Sequence, residues 1–314
     1  MYAVAYQRIA PKQGNMTEGT DGKTIDGMSI KRIENLIASL KDESYQPKPS
    51  RRTYIPKKNG KMRPLGIPAT EDKLLQEVVK MVLEDIYEES FEYTSHGFRP
   101  KRSCHTALKQ IEKSFCGVKW YIEGDIKGFF DNINHDVMIG ILEERINDVR
   151  FIRLIRKFLN AGYIEDWKYF HTYNGTPQGG IISPVLANIY LDKLDKYMAE
   201  YAAKFDRNAR KEVNPQYRHY QRKKERAKKA LKSAVSIEER KLLVEQIRKY
   251  DNLMLQTPAK NDMDCNYKRL KYVRYADDFL CGVIGSKEDA MTIKSDIKDF
   301  ISFRLRVLRR RPRQ

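Results

Sequence analysis

Three aspartates carry the most specific chemical signal in this chain. Asp277 and Asp278 are adjacent in Tyr275-Ala-Asp-Asp278, where two apolar runs, Tyr272-Val-Arg-Tyr275 and Phe279-Leu-Cys-Gly-Val-Ile284, meet at a turn. Asp125 closes a strand-like run beginning at Trp120, and the chain turns again at Gly128-Phe-Phe130. Acids in a turn are commonly solvated turn formers. Here Val273, Phe279, Leu280 and Val283 are placed to anchor the hairpin in a core and hold its tip rigid. Carboxylates held on two strands suit nucleotidyl transfer, in which two divalent cations about 3.5–4 Å apart serve the primer 3′-oxygen and the triphosphate. Magnesium takes oxygen donors and keeps several waters, so two or three aspartates suffice.

Certain elements must place those acids. Over 120–126, Trp120, Ile122 and Ile126 share one face while Tyr121, Glu123 and Asp125 share the other, the period of a strand. Between Arg51 and Pro68, Asn59-Gly60 separates two strand-like runs. This is a tight-hairpin signal, because both residues accept positive φ. Ile30, Ile33, Ile37 and Leu40 recur at helical period behind Ser29 as a cap. Residues 70–88 predict a second helix, with Leu74, Leu75, Val78, Val82 and Ile86 inward and acids at the start, where the helix dipole favours them. Further helical patterns cover 135–147, 150–161 and 183–200, and 11–27 reads as a loop. Helices mixed with a small antiparallel sheet predict an α+β class.

The charge balance of 60 Lys+Arg against 42 Asp+Glu, a formal +18 over 314 residues, favours a polyanionic partner. Plain solubility is the alternative. The densest basic run, Arg218 to Lys232, sets eight cations against Glu225 inside a segment at about 200–268. It reads equally as an RNA-facing helix or a solvated insertion. Cys104, Cys116, Cys265 and Cys281 show no Cys-x-x-Cys spacing, so neither a zinc site nor a disulfide framework is expected. With no signal-peptide layout and no membrane-length apolar run, the expectation is a soluble, cytoplasmic protein without a membrane partner.

Along nearly its whole length the chain resembles the group II intron branch of the reverse transcriptases. Tyr275-Ala-Asp-Asp278 looks like the tetrapeptide at that family's polymerase centre. Thr20-Asp-Gly22 resembles the N-terminal extension, and 51–68 the fingers hairpin. His96-Gly-Phe-Arg-Pro-Lys-Arg-Ser103 resembles the second fingers block. Asp125-Ile-Lys-Gly-Phe-Phe-Asp-Asn-Ile133 resembles the first palm block, and Gly175-Thr-Pro-Gln-Gly-Gly-Ile-Ile-Ser-Pro184 the Pro-Gln-Gly block. Several blocks in order are far more specific than one Asp-Asp pair.

The resemblance implies roles. Asp125, Asp277 and Asp278 would ligate two Mg²⁺ ions, with Mn²⁺ a substitute and the Ile126 carbonyl a further ligand. Phe130 would lie under the incoming sugar and exclude a ribose 2′-OH; the plainer alternative is a core aromatic beside Phe129. Lys61 and Arg63, two apart on one hairpin face, would grip the triphosphate, and Gln178 would line the nucleotide pocket. Phe98, Arg99, Lys101, Arg102 and Gly179 would meet the RNA template. The implied partners are an RNA template, structured intron RNA, a DNA primer and dNTPs.

The implied architecture is a right-hand polymerase's fingers and palm: an N-terminal extension over 1–50, fingers over 51–118 and palm over 119–302. Only 36 residues follow Asp278, so the family's thumb is expected to be absent, and exposed apolar palm surface would favour a homodimer. The Arg-rich 303–314 differs in composition from what precedes it and reads as a non-native tail, with a native arginine-rich arm as the competing view. The function implied is an RNA-directed DNA polymerase that also binds intron RNA in splicing and mobility. The alternative is an RNA-binding maturase module whose catalysis is lost with the thumb.

Overall fold

A computed structural model describes residues 1–56, 60–126, 128–176, 179–262 and 264–306. The chain opens with α1 (Tyr2–Ile9), α2 (Ile30–Lys41), the hairpin strands β1 (Ser50–Pro56) and β2 (Met62–Ile67), and α3 (Thr70–Tyr87). There follow α4 (Cys104–Ser114), β3 (Trp120–Asp125), the short α5 (Phe129–Asn132), α6 (His135–Glu143) and α7 (Val149–Asn160). Next come β4 (Tyr163–Glu165), β5 (Lys168–Phe170), α8 (Ser183–Phe205), α9 (Pro215–Ser233) and α10 (Ile237–Gln256). The chain ends through β6 (Arg269–Tyr275), β7 (Asp278–Ile284), α11 (Lys287–Asp299) and a π-helical turn, Phe300–Arg304.

The expected small antiparallel sheet is present, in the order β3-β7-β6. Its hairpin is held from both sides. Phe279, Cys281 and Val283 enter the main core with Leu186, Ile189 and Ile293, while Val273 joins Ala107 and Phe115 in a second, smaller cluster. This alternation of faces, each meeting its own apolar layer, is what lets so short a sheet stand rigid. Gly124 is demanded by packing: a Cβ there would lie 2.0 Å from the Phe279 ring.

A second sheet, β2-β1-β4-β5, was not foreseen. Its parallel joint, Ser50↔Tyr163 and Arg51↔Ile164, ties the β1–β2 hairpin to a segment more than a hundred residues away. The β1–β2 register runs from Arg51↔Ile67 to Pro56↔Met62. Of the expected turn, Gly60 has φ of 76° and Asn59 lies outside the described residues.

Most predicted helices form. Ser29 caps α2 by accepting from Arg32 N–H, yet Ile30 is exposed and Leu36 is the buried residue. Ile33 and Leu40 pack against the core beside Leu36 as the helical period predicts, and Ile30 alone of the four turns outward. In α3 burial reaches polar positions, Asp72, Lys73, Gln76 and Glu77, each met by its own neighbour: Asp72 accepts from Tyr45 O–H and Lys48 N–H, Lys73 donates to the Thr17 carbonyl, and Gln76 accepts from Ile181 N–H. Glu77 faces Arg8, Lys12 and Lys80 at 3.7, 3.5 and 3.5 Å. Trp120 is partly exposed while Ile122 and Ile126 are buried. Packing continues to Leu305, which is buried and whose carbonyl accepts from Tyr190 O–H; residues 307–314 lie outside the described residues.

Candidate active site

Asp125 and Asp278 are direct cross-strand partners at one end of the sheet, so their side chains share a face at the closest spacing a sheet provides. Asp277 stands between them in the turn, and Ile126 N–H donates to the Asp277 carbonyl at 3.4 Å. The strand end and the hairpin tip are thereby joined. Burial raises the Asp278 carboxyl above its ordinary value, and the negative charges of Asp277 and Asp125 push it further the same way. None of the three makes an ion pair with a described residue. The cluster is all-oxygen, anionic and uncompensated, which is donor chemistry suited to a hard divalent cation. No preformed cage of three such side chains exists among the described residues. The Ile126 carbonyl belongs to a residue buried beneath the acids.

The turn that presents Asp277 is strained. Of its two central residues Ala276 alone has positive φ, 57°, a pattern in which glycine is the favoured residue. Arg274 holds it there. Fully buried, its guanidinium donates to the Ala276 carbonyl (2.7 Å), Asn188 Oδ1 (3.1 Å), Ser95 Oγ (2.6 Å) and both oxygens of Asp195. Backbone bonds His96 N–H to Arg274 O and Arg274 N–H to Thr94 O, both 2.9 Å, stitch the 94–97 loop alongside. A Cβ at Gly97 would lie 2.3 Å from Ala276 N, so Gly97 lets that loop press against the aspartate turn. Sequence reading missed Arg274, Asp195 and Asn188.

The two adjacent phenylalanines stand edge to face at 5.6 Å and both touch the main core, but they differ in burial. Phe129 is buried against Tyr190. Phe130 is half-buried and lines a cavity of about 350 Å³ with Arg52, Gly66, Asp131, Tyr163 and Thr176. Burial raises the Asp131 carboxyl, an effect that Arg52 opposes. The 175–176 segment is bonded to the Phe130 segment: Thr176 N–H donates to Phe130 O and Gly175 N–H to Ile133 O, both at 2.7 Å. The buried Thr176 hydroxyl has no hydrogen-bond partner among the described residues.

The remaining predicted residues divide. Arg63 lies on β2 and Lys61 just before it, both exposed. Phe98 and Lys101 are exposed with positive φ, and Arg102 donates to the Tyr93 carbonyl. Arg99 corrects the expectation of a phosphate contact. It is buried, pairs with Glu88 at 2.9 Å and donates to the carbonyls of Glu92 and Ser95. The positive φ of Gly179 (102°) and its approach to Gly66 O, 2.7 Å from where a Cβ would sit, give that glycine a packing reason against β2. Gln178 lies outside the described residues.

Comparison with known proteins bears on the family of the chain. Residues 55–220 match the family model "Reverse transcriptase (RNA-dependent DNA polymerase)". The group II intron-encoded protein LtrA of Lactococcus lactis subsp. cremoris is 50% identical over 98% of this chain and 51% of its own length. An uncharacterized 91 kDa protein in the cob intron of Schizosaccharomyces pombe is 44% identical over 96% of this chain and 36% of its own. Nuclear intron maturase 2, mitochondrial, of Arabidopsis thaliana is 27% identical over 74% and 33%. A partial Cas6-RT-Cas1–Cas2 complex superimposes with a TM-score of 0.42 at 16% identity, over 96% of this chain and 41% of that one, too loose a likeness to decide anything. The chain belongs to the reverse transcriptase family, in its group II intron-encoded branch. It spans about half the length, or less, of these curated relatives. Members of the family use divalent metal and act on nucleic acid; no helix among the described residues is long and apolar enough to cross a membrane.

Proposed function

We propose that this chain is the fingers and palm of a cytoplasmic RNA-directed DNA polymerase of a group II intron, copying an RNA template from a DNA primer with dNTPs. The observation that carries the reading is the cross-strand pair Asp125–Asp278 with Asp277 beside it, uncompensated by any described cation. Asp125, Asp277 and Asp278, with the Ile126 carbonyl, would hold two Mg²⁺ ions, or Mn²⁺ in their place. The ions supply charge neutralisation at the primer 3′-oxygen and the triphosphate. The primer oxygen forms a bond to the α-phosphorus, and pyrophosphate leaves. Phe130, at the wall of the cavity it shares with Arg52 and Gly66, would limit what fits at C2′ of the sugar. Arg63 and Lys61 on the fingers hairpin are positioned to meet phosphate, for which Arg offers bidentate geometry. Phe98 and Lys101, both exposed, with the partly buried Arg102 would form the template-side set; Arg99 serves to hold their loop.

In this reading 1–50 is the N-terminal extension, 51–118 the fingers and 119–302 the palm, and the extension and fingers also bind structured intron RNA. The palm would present apolar surface through which the chain self-associates as a homodimer. Primer extension on an RNA template, with dNTPs or ribonucleotides and with or without Mg²⁺, tests it. Extension that needs both Mg²⁺ and dNTPs supports the reading. The excess of 60 Lys+Arg over 42 acids favours a second reading, an RNA-binding module without catalysis, and tight RNA binding with no extension would select that one.

A further inference from the structure

The segment between α8 and β6 is neither a loop nor part of the palm core. It is a two-helix arm on a clipped base. Its base is clipped by two isolated bridges, Arg207↔Lys268 and Val213↔Lys260, by Asn261 N–H to Glu212 O at 2.8 Å and by Glu212 N–H to Asp264 Oδ2 at 2.9 Å. Beyond that base α9 and α10 pack chiefly on each other. Lys224 pairs with Asp251 and Lys223 lies over the Tyr250 ring at 6.0 Å. Ala227 is the single buried residue of α9, and α10 has none.

The arm holds twelve Lys and Arg against five acids between Pro215 and Gln256. They are not spread evenly. At 3.6 residues per turn, Arg218, Arg222, Lys229 and Lys232 fall on the side of α9 away from Ala227, with Arg226 on its flank. All five are exposed, and none has an ion pair with a described residue. Glu225 is the one acid among them. The stripe runs roughly 20 Å along the helix axis, long enough to meet several successive phosphates.

We infer that this face of the arm is a docking surface for the phosphate backbone of RNA, separate from the template path at the aspartates and recognising charge spacing, not sequence. The inference rests on the polymerase reading for the identity of the polyanion. A membrane helix would need an apolar face beside its cations, and α9 exposes no large apolar side chain.

The test is a salt series of binding to a blunt RNA duplex carrying no primer terminus, comparing the parent chain with two variants. Replacing Arg218, Arg222, Arg226, Lys229 and Lys232 together by Ala, a good helix former, should weaken binding at least about tenfold. It should also flatten the slope of log affinity against log salt by about 2–4. Glu225→Lys adds a cation to the stripe; it should tighten binding and steepen that slope by about 0.7–0.9. This second variant guards against simple misfolding of the first. Unchanged slopes in both overturn the inference, as does a loss seen on vesicles containing anionic lipid but not on RNA. Primer extension by the parent chain, run alongside, judges the polymerase reading separately. Its failure leaves the slopes free to decide on the arm.

Discussion

Arg274 and Asp195, 79 residues apart and both fully buried, form a two-point ion pair, Nε to Oδ1 at 2.8 Å and Nη2 to Oδ2 at 2.6 Å. The same guanidinium holds the carbonyl of Ala276, one residue before the aspartate pair. α8, the 94–97 loop and the aspartate turn are therefore joined through one side chain. Tyr272 O–H adds a bond to Asp195 Oδ1 at 2.9 Å, so the carboxylate is fully engaged. A buried charge stripped of its partner is costly, whereas a buried pair replaced by apolar groups often is not.

Arg274→Met should accordingly destabilise the chain by about 3–5 kcal/mol, read as a lowered midpoint in urea. Adding Asp195→Leu should recover much of that stability, because no unpaired charge then remains. Primer extension should stay low in both, since the Ala276 carbonyl has lost its donor in each. Recovery of extension along with stability in the double variant would limit Arg274 to a structural role.

Phe130 is the next case. Its position at the cavity wall predicts that Phe130→Val admits ribonucleotides, with discrimination against them falling by about 10- to 200-fold, the range for a small change of pocket volume. Single-nucleotide incorporation with dNTP and rNTP measures it. Equal loss of both substrates would make Phe130 an ordinary packing residue.

Asp72 gives a pH prediction. Burial lifts its carboxyl to about 6, against bonds from Tyr45 O–H and Lys48 N–H that favour the charged form. Because the folded value lies above the ordinary 3.8, the folded state binds the proton more tightly. That contribution is fully present below about pH 4 and is lost as pH rises through about 6, a swing of about 3 kcal/mol. The stability difference between parent and Asp72→Asn should shift by that amount between these limits in urea titrations. A difference independent of pH would contradict it.

Glu77 predicts local behaviour. Its buried carboxylate accepts no hydrogen bond from a described residue and is faced by Arg8 and Lys12 near α1. Glu77→Gln should speed amide exchange in α1 by about tenfold or more while leaving β6 and β7 slow. Unchanged exchange in α1 would mean that apolar contacts through Ala5 and Ile9 hold the helix alone.

What the sequence disclosed follows from the range of each interaction. The aspartate hairpin was legible because apolar residues at strand period flank a two-residue turn, a wholly local pattern. Phe130 could be named, but its separation from Phe129 depends on Tyr190 arriving from α8. Arg274 was not legible: a cation inside a strand reads as solvent-facing, and its partners come from positions 95, 188 and 195. Arg99 was misread for the same reason, since Glu88 and the 92–95 carbonyls enclose a side chain that composition assigns to the surface. The β4–β5 hairpin has three-residue strands, too short for any period, and exists because β1 pairs with it. In the basic segment the charges were plain, but which of them share a face needed Ala227 to be seen against α10.

The most direct test of the central claim compares Mg²⁺-dependent primer extension on an RNA template by the parent chain and by its Asp277→Ala/Asp278→Ala variant. Affinity for the template is measured in both. Extension by the parent, its loss in the variant and unchanged template affinity are the results the account predicts. Extension by both would place the metal site elsewhere and contradict it.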